Sequence, residues 1–324
     1  MKLVDRAAIS RSVAIDMDAA AVIESAMRAL GKGEVIQPDI LSMSFPQYHG
    51  EVDIKTAYIH GAHNFAVKIS TGFFNNHTYG LPSLSGMMIV FDAETGRAEA
   101  ILADNGYLTA VRTALSGLIA AKYLARADST RVAVIGSGEQ ARLQVRALKL
   151  LFPLEQVNVW SRNDDHAVEY AQEMQDVAPQ VRAYERIEDA CRDADIIVTT
   201  TPAIEPVLLA EHVSRGSHIT AIGSDNEFKR EISGELLTMV DIFCCDLQSQ
   251  SESHGELKYF KNRHQETPWP VYEIGKIIAG EIACQRKPTD ISLCCLSAFT
   301  TLSTGYAVAA GSAMRHSPTA RVDG

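Results

Sequence analysis

The spacing of hydrophobic and polar positions changes repeatedly along the chain, and each change marks a different kind of element. Near the N-terminus Val22, Ile23, Met27 and Leu30 share one helical face, with Asp18 placed as N-cap and Gly31 as the stop, which predicts an amphipathic helix. From about Ile40 to Asp104 the period shortens to two. Strands are expected over 52–59, 65–70, 87–91 and 98–103, the last two joined by Asp92-Ala-Glu-Thr-Gly96 as a hairpin, so this region reads as an antiparallel sheet. A long helix follows, over about 108–125. Beyond Arg131, short apolar runs at 132–135, 157–160, 196–199, 218–222 and 242–245 alternate with helical patterns, the rhythm of a parallel doubly wound sheet. The expected class is therefore α/β: a nucleotide-type domain over 116–299 beside an N-terminal α+β domain over 1–115. The segment 291–314 comes after the sheet reads as complete, so it is expected to return to the first domain and finish it over about 300–324.

The first of those runs leads straight into Gly136-Ser137-Gly138-Glu139-Gln140-Ala141, after which Leu143, Val145, Leu148 and Leu150 pattern a helix. This is the G-x-G-x-x-A fingerprint of a Rossmann fold. The first glycine permits the tight turn, the second lets backbone approach a pyrophosphate, and the small third residue packs helix on strand, with the helix N-terminus presented to the phosphates. The following strand ends in Ser161-Arg162-Asn163, where an acidic residue would favour NAD by accepting from the ribose 2′-hydroxyl. A guanidinium in its place suits a 2′-phosphate, so NADP(H) is preferred, while Asp164 and Asp165 keep NAD(H) in play. Thr200 and Thr201, after a later strand, are expected to line the same cofactor.

Composition narrows the ligand class. The 324 residues carry a formal charge of −10 with no offsetting basic run, which argues against nucleic acid and for a small molecule. Charge close to the start, in Lys2, Asp5 and Arg6, leaves no apolar export signal. The six cysteines form neither a metal-ligand spacing nor a disulfide framework, so reduced thiols, no metal and a cytoplasmic location are expected. The uncharged run 293–314 is rich in Ser, Thr and Gly, which suits a helix packed within the protein or at a subunit interface better than a membrane span.

Three residues carry candidate chemistry. Lys68 lies on a strand whose alternation puts it with Ala66 and Ser70 and opposite Phe65, Val67 and Ile69, either on a wet face or aimed into a pocket as a carboxylate anchor. Arg112 stands near a helix start, where the helix dipole disfavours a cation, and calls for an anionic partner: a substrate carboxylate or a structural acid such as Asp104. Asp225 follows the carboxyl end of a strand, where ligands of open α/β sheets sit; it serves either as acid/base on a substrate amine or as the N-cap of a segment over 227–236.

Five segments, in order, resemble the ornithine cyclodeaminase/mu-crystallin family: Phe65-Ala-Val-Lys-Ile with Gly80-Leu-Pro-Ser83, Leu108-Thr-Ala-Val-Arg-Thr-Ala114, Val134-Ile-Gly-Ser-Gly-Glu-Gln-Ala-Arg142, Ala221-Ile-Gly-Ser-Asp-Asn-Glu-Phe-Lys-Arg-Glu231, and Glu273-Ile-Gly-Lys-Ile-Ile-Ala-Gly280. Within it, Gly50-Glu-Val-Asp-Ile-Lys-Thr-Ala-Tyr58 and Asp104-Asn-Gly-Tyr-Leu108 are similar to the cyclodeaminase-like proteins associated with ectoine utilisation. The resemblance implies a homodimer whose N-terminal domain binds substrate and builds the interface, carboxylate contacts from Lys68 and Arg112, and an acid/base role for Asp225. Ser83 and Lys55 join the candidate substrate contacts. The chain departs from the family pattern where Asp39-Ile40-Leu41 follows Gln37-Pro38 without the expected arginine, and where Lys55 occupies a position that is often apolar. Asp53 falls near a cyclodeaminase glutamate, and both Asp53 and Lys55 belong either to the pocket or to a wet strand face. The implied activity is reduction or oxidation at the Cα–N bond of a small amino acid or its imine. The rivals are a redox-neutral cyclodeaminase on a diamino acid such as ornithine or 2,4-diaminobutyrate, and an NADPH-dependent binding protein.

Overall fold

The structure, a computed structural model, describes residues 1–224, 228–253, 255–263 and 267–296. These fall into two compact units, one built from Met1–Arg112 and the other from the described residues between 113 and 296, the division lying inside a helix. The expected completion of the first unit over 300–324 and most of the uncharged 293–314 run lie outside the described residues.

The first unit is a seven-stranded sheet. Its strands are β1 (Lys2–Asp5), β2 (Val35–Ile36), β3 (Leu41–Phe45), β4 (Gly50–Ile59), β5 (Asn64–Phe73), β6 (Leu84–Asp92) and β7 (Ala98–Ala103), in the order β1-β7-β6-β5-β4-β2 with β3 also on β4. From β2 to β7 every pairing is antiparallel, and β1 adds in parallel to β7. The β6–β7 turn closes through Asp92, whose Oδ1 accepts from the Thr95 N–H at 2.7 Å and hydroxyl at 2.6 Å. Helices α1 (Arg6–Ser12) and α2 (Met17–Gly31) precede the long strands. The α2 cap is Asp16 rather than Asp18: its Oδ1 accepts from Ala19 N–H at 2.8 Å, and Asp18 sits in the first turn.

The two faces of this sheet are unlike in an unexpected sense. Along β5 the buried positions are Asn64, Ala66 and Lys68, while Phe65, Val67 and Ile69 are only half-buried. Cross-strand register extends that apolar face to Ile54, Ile89, Met87, Leu41 and Met43, the last three exposed by 42, 55 and 46%. The lysine belongs to the covered side.

Helix α3 (Tyr107–Leu124) leads into the second unit. It starts where Asn105 and Gly106 both take positive φ and the buried Asp104 Oδ2 accepts from Leu108 N–H at 2.7 Å. The second sheet is entirely parallel: β8 (Arg131–Ile135), β9 (Gln156–Trp160), β10 (Gln180–Tyr184), β11 (Ile196–Thr199), β12 (His218–Ala221), β13 (Ile242–Cys245), β14 (Val271–Glu273) and β15 (Ser292–Cys295), in the order β10-β9-β8-β11-β12-β15-β13-β14. Strand β15 corrects one expectation. Rather than leaving a finished sheet, Ser292–Cys295 inserts between β12 and β13. Its place is fixed by Ser292, whose Oγ donates to Leu124 O at 2.7 Å and lies 3.0 Å from His218 Nδ1; burial pushes His218 down to about 3, so the ring is neutral. The central strands β11, β12, β13 and β15 are buried on both faces, whereas the edge strands β10 and β14 are partly exposed.

Candidate active site

Two groups of residues emerge, one on each unit. On the second, β8 runs into Gly136, whose φ of +115° no side chain adopts easily; a Cβ there would lie 2.6 Å from Thr200 Oγ1. Gly138 is the N-cap of α4 (Glu139–Leu148) and supplies no side-chain cap bond. Ala141 is fully buried and its carbonyl accepts from Tyr170 Oη at 3.1 Å, where the following helix, α5 (Asp164–Glu173), crosses. Ser137 Oγ donates to Ser161 Oγ at 2.9 Å, joining the glycine loop to the end of β9. Arg142, which the sequence reading passed over, donates to the carbonyls of Ser137 and Gly138, and its Nε reaches Glu173 at 2.6 Å. The loop is thus held open in a shape that suits a pyrophosphate.

Beyond β9, Arg162 is exposed and has no partner among the described residues. Asn163 is committed locally: its Oδ1 accepts from Asp165 N–H at 2.9 Å and caps α5. Thr201 is likewise committed, through its N–H and hydroxyl, to Glu231 Oε1 at 2.6 and 2.8 Å, while Thr200 faces Gly136.

Glu231 is a structural centre that sequence reasoning missed. It is fully buried, and its second oxygen accepts from Thr199 Oγ1 and Gly223 N–H, both at 2.7 Å, so one carboxylate ties together the ends of β11 and β12. Gly223 has to be glycine here, since a Cβ would meet Thr201 O at 2.1 Å. Glu231 N–H donates in turn to Glu256 Oε1 at 2.7 Å. Burial pushes both carboxyls up, Glu256 to about 7. The only sequence signal was an acid standing next to an apolar residue, Glu231-Ile232. Asp225 lies outside the described residues. The next helix, Gly234–Met239, is capped by Ser233.

On the first unit the covered face of the sheet carries the charge. Lys68 is 3% exposed and its ammonium has no hydrogen-bond acceptor among the described residues. Burial, then the Arg112 guanidinium and the Lys55 ammonium, push it well below the ordinary lysine value, with Asp53 and Asp104 opposing. Lys55 lies directly opposite it in the β4–β5 register and pairs with Asp53 at 3.2 Å. Asp53 Oδ1 accepts from Ser42 Oγ at 2.7 Å; burial pushes its carboxyl up, but Lys55 and Ser42 outweigh that and hold it below the usual range. Ser83 stands apart, five register positions from Lys68, about 17 Å along the strand at the usual rise. A buried cationic patch of this kind suits a carboxylate ligand.

A family model described as the ornithine cyclodeaminase/mu-crystallin family matches residues 2–309. The chain belongs to the ornithine cyclodeaminase/mu-crystallin family. Its relatives in that family include an uncharacterized cyclodeaminase of Sinorhizobium fredii, 38% identical over 96% of this chain and 95% of the other. A Δ1-pyrroline-2-carboxylate reductase of Paracoccus denitrificans is 30% identical over 72% of this chain and 73% of its own. Among solved structures, an archaeal alanine dehydrogenase dimer with bound NAD superposes with a TM-score of 0.91 at 26% identity, covering 100% of this chain and 99% of that one. The family thus includes imine reductases, amino-acid dehydrogenases and cyclodeaminases, and the Rossmann-type architecture is shared. Among the described residues no helix is long and apolar enough to cross a membrane. All six cysteines are free, and all but Cys284 are buried.

Proposed function

We propose that the protein is an NADP(H)-preferring oxidoreductase acting at the Cα–N bond of a small amino acid or its imine, working as a cytoplasmic homodimer. One observation carries the reading: a lysine ammonium buried beside Arg112 with no acceptor, in a chain whose second unit holds an open glycine loop. Lys68 and Arg112 grip the substrate carboxylate at two points, which fixes Cα for reaction. Asp225 exchanges a proton with the substrate nitrogen. The nucleotide, when bound, supplies or accepts the hydride. Gly136, Ser137, Gly138, Glu139, Gln140 and Ala141 cradle its pyrophosphate, Thr200 lies behind the loop, and Ser161, Arg162 and Asn163 form the adenosine end. The unpartnered Arg162 guanidinium supports NADP over NAD. The half-exposed apolar face of the first sheet supports the dimer, since contiguous apolar surface of this kind marks an interaction site. A place in ectoine use rests on the segments at 50–58 and 104–108.

A second reading has one observation in its favour: Asp53 shares the Lys68 face, where it can receive the second amine of a diamino acid, as a cyclodeaminase requires. The test is NADPH and NADH oxidation against cyclic and acyclic 2-imino acids, run beside ammonia release from diamino acids. Imine-dependent oxidation that disappears in Lys68→Met, with nucleotide affinity unchanged, supports the reductase. Ammonia release without net change in nucleotide absorbance supports the cyclodeaminase.

A further inference from the structure

We propose that the second unit carries a further binding site, for a free α-amino acid with an apolar side chain, whose carboxylate docks on Arg230 and whose ammonium docks on Glu235. The site goes beyond the oxidoreductase reading and does not depend on it, since none of its residues belongs to the glycine loop, to the end of β9 or to the Lys68 face.

The site is a cavity of about 230 Å³ within the second unit, whose lining includes Arg230, Glu235, Leu237, Thr238, Tyr259 and Phe260. Pockets for drug-sized ligands run to about 300–1,000 Å³, so this one suits a single small metabolite and is too small for a dinucleotide. Its apolar floor is firmly built. Leu237 and Phe260 are both buried, and Trp269 ties them together: its ring packs on Phe260 at 5.2 Å between centroids, and its indole N–H donates to Leu237 O at 2.9 Å.

Arg230 is fixed through backbone and side chain alike. Its N–H donates to Ala203 O at 2.7 Å, the following N–H, of Glu231, donates to Glu256 Oε1 at 2.7 Å, and its guanidinium lies over the Tyr259 ring at 5.3 Å. Stacking of this kind holds the planar fork ready for a carboxylate without consuming its N–H groups. The Arg230 Nε is buried without an acceptor, and no carboxylate among the described residues pairs with the guanidinium. Glu235 is exposed, and its carboxylate is equally unpaired among the described residues; Thr238 Oγ1 donates to the Glu235 backbone O at 2.7 Å and not to its side chain.

An arginine and a glutamate thus line one apolar-floored cavity without pairing with each other. A ligand that carries carboxylate and ammonium on one carbon answers both charges, and its side chain covers Leu237 and Phe260. A plain carboxylate answers Arg230 and meets Glu235 as a like charge, and a plain amine does the reverse. The two residues therefore select a zwitterion by charge sign at both ends.

The experiment is calorimetric titration of the full chain with L-leucine, 4-methylpentanoate, which lacks the ammonium, and 3-methylbutylamine, which lacks the carboxylate. Leucine is expected to bind at least about ten-fold more tightly than either analogue. That binding should persist in Lys68→Met and weaken at least about ten-fold in Arg230→Gln and in Glu235→Gln. Glu235 is exposed, so Glu235→Gln carries the test if the arginine variant does not fold. No saturable leucine binding, equal binding of an analogue, or binding unchanged in Glu235→Gln overturns the proposal. Leucine bound in the Arg230 and Glu235 variants but lost in Lys68→Met places the ligand on the Lys68 face, and overturns it as well.

Discussion

Glu256 offers a stability test whose sign is fixed by the structure. Its carboxyl is buried, lies against Glu231, and is raised to about 7 from 4.5. In the unfolded chain it returns to an ordinary value near 4.5. Between the two values the folded protein holds a proton that the unfolded protein has released, so stability falls as pH rises through this window and levels off above about 7. The difference, about 2.5 units at 1.36 kcal/mol each, corresponds to a loss of about 3 kcal/mol between pH 4.5 and 8. Glu256→Gln keeps an oxygen for the Glu231 N–H, at 2.7 Å in the parent, and cannot ionise. It is therefore expected to match the parent near pH 5 and to exceed it by about 2–3 kcal/mol at pH 8. Urea denaturation at pH 5, 6, 7 and 8 reads both curves. Parallel pH dependence in parent and variant would refute the reasoning, because the ionisation cost would then lie elsewhere.

Other consequences are open to direct measurement. Glu231→Gln presents an amide N–H to one of the backbone donors, Thr201 N–H or Gly223 N–H, and should cost about 1–3 kcal/mol, seen as a melting temperature lowered by several degrees. Gly136→Ala forces a side chain into φ +115° and against Thr200, and should weaken nucleotide binding at least about ten-fold by titration. Arg162→Ala should cut the NADPH-over-NADH preference about ten-fold, and an unchanged ratio would remove Arg162 from the 2′-phosphate. Placing Met43→Lys and Met87→Lys together on the apolar sheet face should convert a dimer to a monomer in light scattering while leaving the far-ultraviolet spectrum intact.

The fold was legible where the signal is local. The period-two strands of the first unit and the strand–turn–helix at Gly136 were readable because hairpin spacing and glycine position are properties of neighbouring residues. Strands β1 and β15 were not, because each pairs in parallel with a partner far away in sequence, and only packing decides where it inserts. The face of Lys68 was ambiguous for a different reason. A two-faced sheet with one side covered by its own chain and the other left apolar makes the polar residue the buried one, which alternation alone cannot reveal. The Lys55–Lys68 pair needed the register, and the Glu231 clasp needed the loops that converge on it.

Net hydride transfer from a nicotinamide to the substrate Cα, rather than its loan and return, is tested most directly by isotopic labelling. With nicotinamide-4-deuterated NADPH and a 2-imino acid, the account predicts net nucleotide oxidation and one deuterium at Cα of the amino acid product, seen by mass spectrometry. Product without deuterium, or ammonia released from a diamino acid with no net oxidation, would contradict it.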